Sequence, residues 1–177
     1  MDVMMDTERT LLMYTDTYNS PLGEILIAAD EEGLTGLWFK DQKYFALTLK
    51  DPIEKKIPVI AETERWLDIY FTRKNPDFMP PLHPSGTPFQ QQVWDLLLQI
   101  PYGETATYGQ LAEKMAEEKG IKRMSAQAVG GAVGHNHISI IIPCHRVLGK
   151  DGSMTGYAGG IERKERLLLL EKKGKKL

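Results

Sequence analysis

The chain has one cysteine and four histidines in 177 residues. One cysteine excludes an internal disulfide and any zinc site built on a cysteine pair, and it fits a reducing cytoplasm. The histidines (His83, His135, His137, His145) show no metal-ligand spacing, so no metal or other cofactor is expected. No run of about 18 apolar residues occurs, and Met1–Asp6 lacks the basic and apolar regions of a secretory signal. Neither a membrane span nor a leader is expected. Charge of one sign is also missing overall, with 22 Lys and Arg against 24 Asp and Glu. It is unevenly placed: residues 1–85 hold 9 and 15, residues 86–177 hold 13 and 9. The basic second half permits a nucleic-acid partner without demonstrating one.

What is present divides near a proline-rich stretch. Residues 1–10 are polar and read as a frayed start. Leu11–Thr17, Gly23–Ala29 and Leu34–Phe39 read as strands of an antiparallel meander, with Ser20-Pro21-Leu22-Gly23 and Asp30-Glu31-Glu32-Gly33 as turns. A short helix is expected around Phe45–Leu49, and an amphipathic one over Ala61–Phe71, with Trp66, Ile69 and Tyr70 on one side. No catalytic spacing occurs in this half, which reads as scaffold. Asn75–Pro88 holds five of the ten prolines and reads as an extended linker.

Beyond it, Thr87-Pro88-Phe89-Gln90 is a helix start with a capping box, followed by the stripe Phe89, Val93, Trp94 and Leu97. Thr107-Tyr108-Gly109-Gln110 opens a second helix to about Met115, before a charged turn at Glu117–Gly120. Ser125 caps a third, Ala126–Val133, which contains Gly130-Gly131. The last two match a helix-turn-helix outline. The glycines cost about 1 kcal/mol each against alanine, so something approaches that backbone closely, whether a neighbouring helix or a partner. Val147–Ser153 reads as a strand end and an Asp-Gly turn, Gly156–Gly160 as a pocket-lining loop, and Ile161–Glu171 as a final helix before a basic tail, Lys172–Lys176.

The chain turns on Ile138-Ser139-Ile140-Ile141-Ile142-Pro143-Cys144-His145-Arg146-Val147. The aliphatic run reads as a buried strand that Pro143 terminates. A thiol beside an imidazole is the minimum for an activated sulfur nucleophile, because the thiolate is the reactive form. Neighbours on a strand face opposite ways, so the pair needs a bend at Cys144 or a bridging water. The plain alternative is a small buried hydrophobe.

From Thr87 to Glu171 the sequence resembles the O6-alkylguanine-DNA alkyltransferases. The shared blocks are Phe89-x3-Val93-Trp94, Ile100-Pro101-Tyr102-Gly103-Glu104, Thr107-Tyr108-x-Gln110-Leu111-Ala112, Ala128-Val129-Gly130-Gly131-Ala132, Asn136, Pro143-Cys144-His145-Arg146-Val147, Gly156-Tyr157-x-Gly159-Gly160 and Arg163-Lys164. The resemblance implies an α/β (α+β) protein. An N-terminal ribonuclease-H-like domain, 1–80, precedes a mostly helical, winged-helix-like DNA-binding domain, 81–177. It implies that Cys144 accepts the alkyl group once, His145 takes the thiol proton through a water, and Glu171 orients His145. Asn136 braces the turn and Tyr108 supplies a proton to the leaving base. The third helix enters the minor groove of duplex DNA through Ser125, Ala126, Gln127, Ala128, Gly130 and Gly131, with the lesion flipped out and Arg123 facing phosphate. Val147, Tyr157, Ala158 and Gly159 line the pocket. A cytoplasmic monomer with no membrane contact is expected, with O4-alkylthymine as a poorer substrate.

Three positions carry expectations of their own. Gln127 stands where the family commonly has an arginine finger, so its removal should cost less. His137 stands where proline is usual, which predicts a looser turn; Ala158, without a hydroxyl, predicts a roomier pocket. The competing readings are a non-catalytic lesion sensor, a cysteine hydrolase, and a helix-turn-helix transcription factor. The sensor class lacks the cysteine, the hydrolase needs an oxyanion hole, and the factor needs one specific site.

Overall fold

The computed structural model describes residues 11–175; the start at 1–10 and the end of the basic tail at Lys176 lie outside the described residues. Three strands, β1 (Tyr14–Ser20), β2 (Gly23–Ala29) and β3 (Leu34–Phe39), form the expected meander, β1 starting three residues late. A two-residue strand not anticipated from sequence, β4 (Ile53–Glu54), pairs parallel with β1, so the sheet order is β3-β2-β1-β4. Helix α1 (Pro58–Tyr70) covers the sheet with Ile60, Trp66, Leu67 and Tyr70. It begins three residues earlier than read, because Pro58 supplies a first-turn residue that needs no N–H partner. No helix forms around Phe45–Leu49: Tyr44 and Ala46 take left-handed backbone there, and the segment is a chain of turns.

The proline-rich stretch is extended but not free. Leu34 N–H donates to Pro81 O and His83 N–H to Leu34 O, each at 2.7 Å, laying the stretch along the exposed edge of β3.

Helix α2 (Pro88–Leu97) and helix α3 (Tyr108–Lys119) both start with complete capping boxes on Thr87 and Thr107. Helix α3 runs a turn past the expected end, because Gly120 in left-handed backbone closes it and the charged stretch Glu117–Lys119 is its last turn. Helix α4 (Ala126–Gly134) starts at Ser125, whose Oγ accepts from Ala128 N–H at 3.2 Å. Trp94 Nε1 donates to Ala132 O at 2.9 Å, fixing α2 against α4. Strands β5 (Ala106–Thr107) and β6 (Val147–Leu148) form a small parallel pair. The Asp-Gly turn after β6 forms as expected, with both Asp151 and Gly152 left-handed. Helix α5 (Ile161–Lys175) is longer than read and takes in the start of the basic tail.

The aliphatic run 138–142 is not a strand. Ile138 makes one parallel bridge to Leu37 of β3; the chain then coils into tight turns with Ile140 left-handed at φ 70°. Burial of all five residues comes from packing, and it misled the strand reading. Their backbone groups are paired locally, by Ile141 N–H to Ser139 O, Ile142 N–H to Ile138 O and Cys144 N–H to Ile142 O. Only Ser139 N–H, donating to Leu37 O at 2.9 Å, reaches the sheet, so the ladder does not extend past that one bridge. His137 does not loosen the turn either: it is buried, its carbonyl accepts from Leu37 N–H at 2.8 Å, and its ring meets Trp94 edge-on.

Gly131 has no atom within 4 Å of the place a Cβ would occupy. Gly131→Ala should therefore raise stability by about 0.5–1 kcal/mol, read as an increase in Tm on thermal denaturation. A fall would mean that α4 is packed more tightly here than the structure allows.

Candidate active site

Cys144, His145 and Arg146 form a single turn of 3₁₀ helix directly after Pro143, all three buried. The bend that a cysteine–histidine pair requires is thus supplied by the backbone rather than by a strand. Among the described residues no hydrogen bond joins Cys144 Sγ to the His145 ring.

Asn136 holds the turn together. Its Nδ2 donates to Ile138 O (3.1 Å) and Ile142 O (2.8 Å) and lies 3.2 Å from Cys144 Sγ, while its Oδ1 accepts from Ile138 N–H at 2.9 Å. A buried side chain thereby satisfies backbone groups that no sheet reaches.

Glu171, on α5, is fully buried and accepts four hydrogen bonds. Tyr70 Oη and His145 Nε2 reach Oε2 at 2.6 Å each; Arg146 Nε (2.8 Å) and Gly103 N–H (3.0 Å) reach Oε1. Gly103 has φ 78° in the turn closed by Glu104 N–H to Pro101 O, a conformation that favours glycine and points its N–H at the carboxylate. Burial alone pushes the Glu171 carboxyl up, but the His145 and Arg146 hydrogen bonds and charges hold it below the usual carboxylate range. Burial foremost, with the Arg146 and Lys164 charges, lowers His145 more than Glu171 raises it, so the imidazole rests neutral. Facing a carboxylate, its proton sits on Nε2, and buried Nδ1, without a partner, carries the lone pair.

Burial pushes the Cys144 thiol up, against smaller opposing effects of the Asn136 hydrogen bond and the Lys164 charge. At neutral pH it is a thiol that needs a base. Lys164 is itself buried, with Nζ donating to Thr155 O at 2.8 Å.

A cavity of about 530 Å³ lies between α4, Tyr108 and the loop at 156–158; Cys144 is behind its wall rather than in it. Of the expected residues, Tyr108, Ala126, Gln127, Gly130, Tyr157 and Ala158 line it. Tyr108 Oη donates to Thr155 O at 3.3 Å. Burial first, and the nearby Cys144 charge second, raise both the Tyr108 and Tyr157 hydroxyls, so both tyrosines stay protonated. Val147 and Gly159 are not part of the lining. Val147 is in the core on β6, and Gly159 packs behind, where a Cβ would meet the Tyr157 ring at 2.6 Å. Ser125, Ala126, Gln127, Ala128 and Gly131 are exposed along α4, as is Arg123 before it.

Sequence reasoning missed five contributors. Arg146 and Gly103 stood inside quoted blocks without a role. Tyr70, together with Lys43 and Tyr44 on the cavity rim, comes from the half read as pure scaffold. Only their meeting in space reveals them, since Tyr70 lies 101 residues from Glu171.

A buried thiol, a neutral imidazole with a free lone pair and an ionised carboxylate behind it define a cysteine-nucleophile protein whose cavity is walled by an exposed, glycine-bearing helix. Residues 13–84 match the family description "6-O-methylguanine DNA methyltransferase, ribonuclease-like domain", and residues 88–173 match "6-O-methylguanine DNA methyltransferase, DNA binding domain". The chain belongs to the 6-O-methylguanine DNA methyltransferase family. It is 45% identical over 164 residues to the methylated-DNA–protein-cysteine methyltransferase of Haemophilus influenzae, covering 92% of this chain and 88% of the relative. It is 38% identical to the constitutive Bacillus subtilis protein of that name, over 90% and 95% of the two chains. The crystal structure of Mycobacterium tuberculosis OGT in complex with DNA superposes with a TM-score of 0.79 at 40% identity, over 91% of this chain and 94% of that one.

Because Glu171 is held below its unfolded value, it contributes stability above about pH 4.3 and loses that contribution as the pH falls further. Glu171→Gln leaves Arg146 uncompensated and should cost roughly 3–5 kcal/mol at pH 7. The gap between variant and wild type should narrow below about pH 4, as measured by urea denaturation at both pH values.

Proposed function

We infer that this protein repairs DNA by moving the alkyl group of O6-alkylguanine onto Cys144 Sγ, once per molecule. The observation that carries the reading is the Cys144–His145–Glu171 arrangement set behind Tyr108 and Tyr157, two residues that line the cavity beside α4 and feel the Cys144 charge, in a chain that belongs to this family. The thiol proton passes through a water to His145 Nδ1, and Glu171 stabilises the imidazolium that forms. The thiolate attacks the alkyl carbon in line; the carbon–O6 bond breaks as the carbon–sulfur bond forms. Guanine leaves with its electron pair, and the proton it takes up is donated by Tyr108 Oη. Asn136 keeps Sγ aimed while this happens. The product is a thioether with no acyl carbon for water to attack, and no second cysteine is present to resolve it. O4-alkylthymine is the poorer substrate.

The target atom lies inside the duplex, so the nucleotide is turned out into the cavity while α4 lies in the minor groove. The neighbours of α4 support this. Neither Gly131 nor Gly134 has anything within 4 Å of a would-be Cβ, and the Gly130 Cβ would make only an ordinary contact with Tyr108 at 3.6 Å. Among the described residues no close helix–helix approach, the other explanation for these glycines, occurs at Gly131 or Gly134. Ser125, Ala126 and Ala128 keep the helix surface low, Arg123 faces phosphate, and Gln127 fills the gap left by the flipped base. Tyr157 and Ala158, with Val147 and Gly159 behind them, shape the alkyl pocket and admit groups larger than methyl. In this reading residues 1–80 are the scaffold domain and 81–177 the transferase domain. The protein acts as a monomer in the cytoplasm, where its one thiol stays reduced. No helix among the described residues is long and apolar enough to cross a membrane.

Incubation with a duplex carrying one O6-methylguanine should add one methylene (about 14 Da) to the intact mass, saturating at one per molecule and absent in Cys144→Ala. Lesion-selective binding without mass gain would make the protein a sensor instead. Gln127→Ala should slow repair by less than about a hundredfold, since glutamine offers a hydrogen bond but no charge; a greater loss in single-turnover assays would contradict the role assigned to it. Gly131→Ala, though more stable, should bind duplex more weakly.

A further inference from the structure

We propose that Tyr70, from the N-terminal half of the chain, is a positioning residue for alkyl transfer: its hydroxyl fixes Glu171 Oε2 and sets how strongly that carboxylate holds His145. The proposal rests on the reading of Cys144 as the alkyl acceptor.

Tyr70 and His145 share one oxygen. Tyr70 Oη and His145 Nε2 both lie 2.6 Å from Oε2, whereas Arg146 and Gly103 hold Oε1. The tyrosine is fully buried at the end of α1, and its ring is locked by stacking on Trp66 at 5.2 Å and by edge contacts with Phe71 and Tyr102. Burial and the Glu171 charge keep its hydroxyl protonated far above neutral pH, so it is a permanent donor.

A permanent donor on Oε2 has two consequences. It stops the carboxylate from rotating, so the imidazole keeps Nε2–H toward Glu171 and the Nδ1 lone pair toward the side from which the thiol proton arrives. It also withdraws electron density from the oxygen that faces the imidazole. Glu171 therefore steadies the imidazolium without drawing His145 into the protonated form at rest, in which it cannot act as a base. The other groups that act on this pair are Arg146 and Lys164, with Tyr102 and Tyr157 beside it. Of the tyrosines, only Tyr70 hydrogen-bonds Glu171 among the described residues, and Tyr102 Oη is buried without a partner.

The sign follows directly. Without the Tyr70 hydroxyl, the less screened carboxylate stabilises the imidazolium, and the imidazole charges at higher pH. In Tyr70→Phe the acid limb of the transfer rate against pH should move up by roughly one pH unit. Transfer on the acid limb, below both midpoints, should slow by about tenfold, and at neutral pH by no more than about threefold. Tyr102→Phe, which removes a neighbouring phenol not bonded to Glu171, should leave the limb in place. Tyr70→3-fluorotyrosine keeps the shape and strengthens the donor, so the limb should move down.

Single-turnover transfer from an O6-methylguanine duplex across pH 5–9, with Tm measured alongside, reads all three variants. A lowered Tm with an unmoved limb in Tyr70→Phe would reduce Tyr70 to packing and overturn the proposal. If Tyr70→Phe fails to fold, an unmoved limb in the fluorotyrosine variant overturns it equally. Absence of transfer by the wild type would instead overturn the functional reading itself.

Discussion

The site depends on one carboxylate held ionised in the interior. Glu171 is removed from water at a cost that a single partner does not offset, and it is stable there because four donors converge on it. Those donors come from the end of α1, the turn after α2, and the 3₁₀ turn at Cys144, and they meet the carboxylate on α5. One charge thus ties together segments from across the chain. Because each donor is positioned by its own packing, the imidazole that completes the set has one orientation left to it. Orientation is what a base acting through a lone pair requires.

That constraint explains why the cysteine can rest as a thiol. Burial makes Cys144 a weak acid, and Asn136 is spent on bracing the turn as much as on the sulfur. The proposed activation by His145 fits that resting state, since burial keeps its imidazole neutral and its Nδ1 has no partner among the described residues. A thiol kept protonated until a substrate arrives suits a protein whose only cysteine is consumed by its reaction. A permanently ionised thiolate would be open to oxidation and stray alkylation.

The parts legible in the sequence are those written in local chemistry. Both capping boxes, the Ser125 cap, the Asp-Gly turn and the meander depend on residues within a few positions of one another, and the helix starts at Pro88, Tyr108 and Ala126 fall where those signals put them. The run 138–142 misled because burial and β-branching are shared by strands and by buried coils. What decides between them is whether backbone partners exist, and Asn136 with local turns had already taken that role. Arg146, Gly103 and Tyr70 were illegible for a different reason. A tyrosine on an amphipathic helix looks like core until the fold brings a buried carboxylate to its hydroxyl.

The glycines of α4 carry the same lesson in reverse. Each costs helix stability, and among the described residues nothing repays it at Gly131 or Gly134, where there is empty space in place of a tightly packed neighbour. A helix that forgoes stability on its exposed face, without a packing reason, is shaped for something not in the chain. The same face borders the cavity through Ala126, Gln127, Gly130 and Gly134. Whatever lies against that helix therefore lies at the mouth of the cavity beside Cys144. Low relief on that helix is what the proposed docking of a duplex beside the cavity requires.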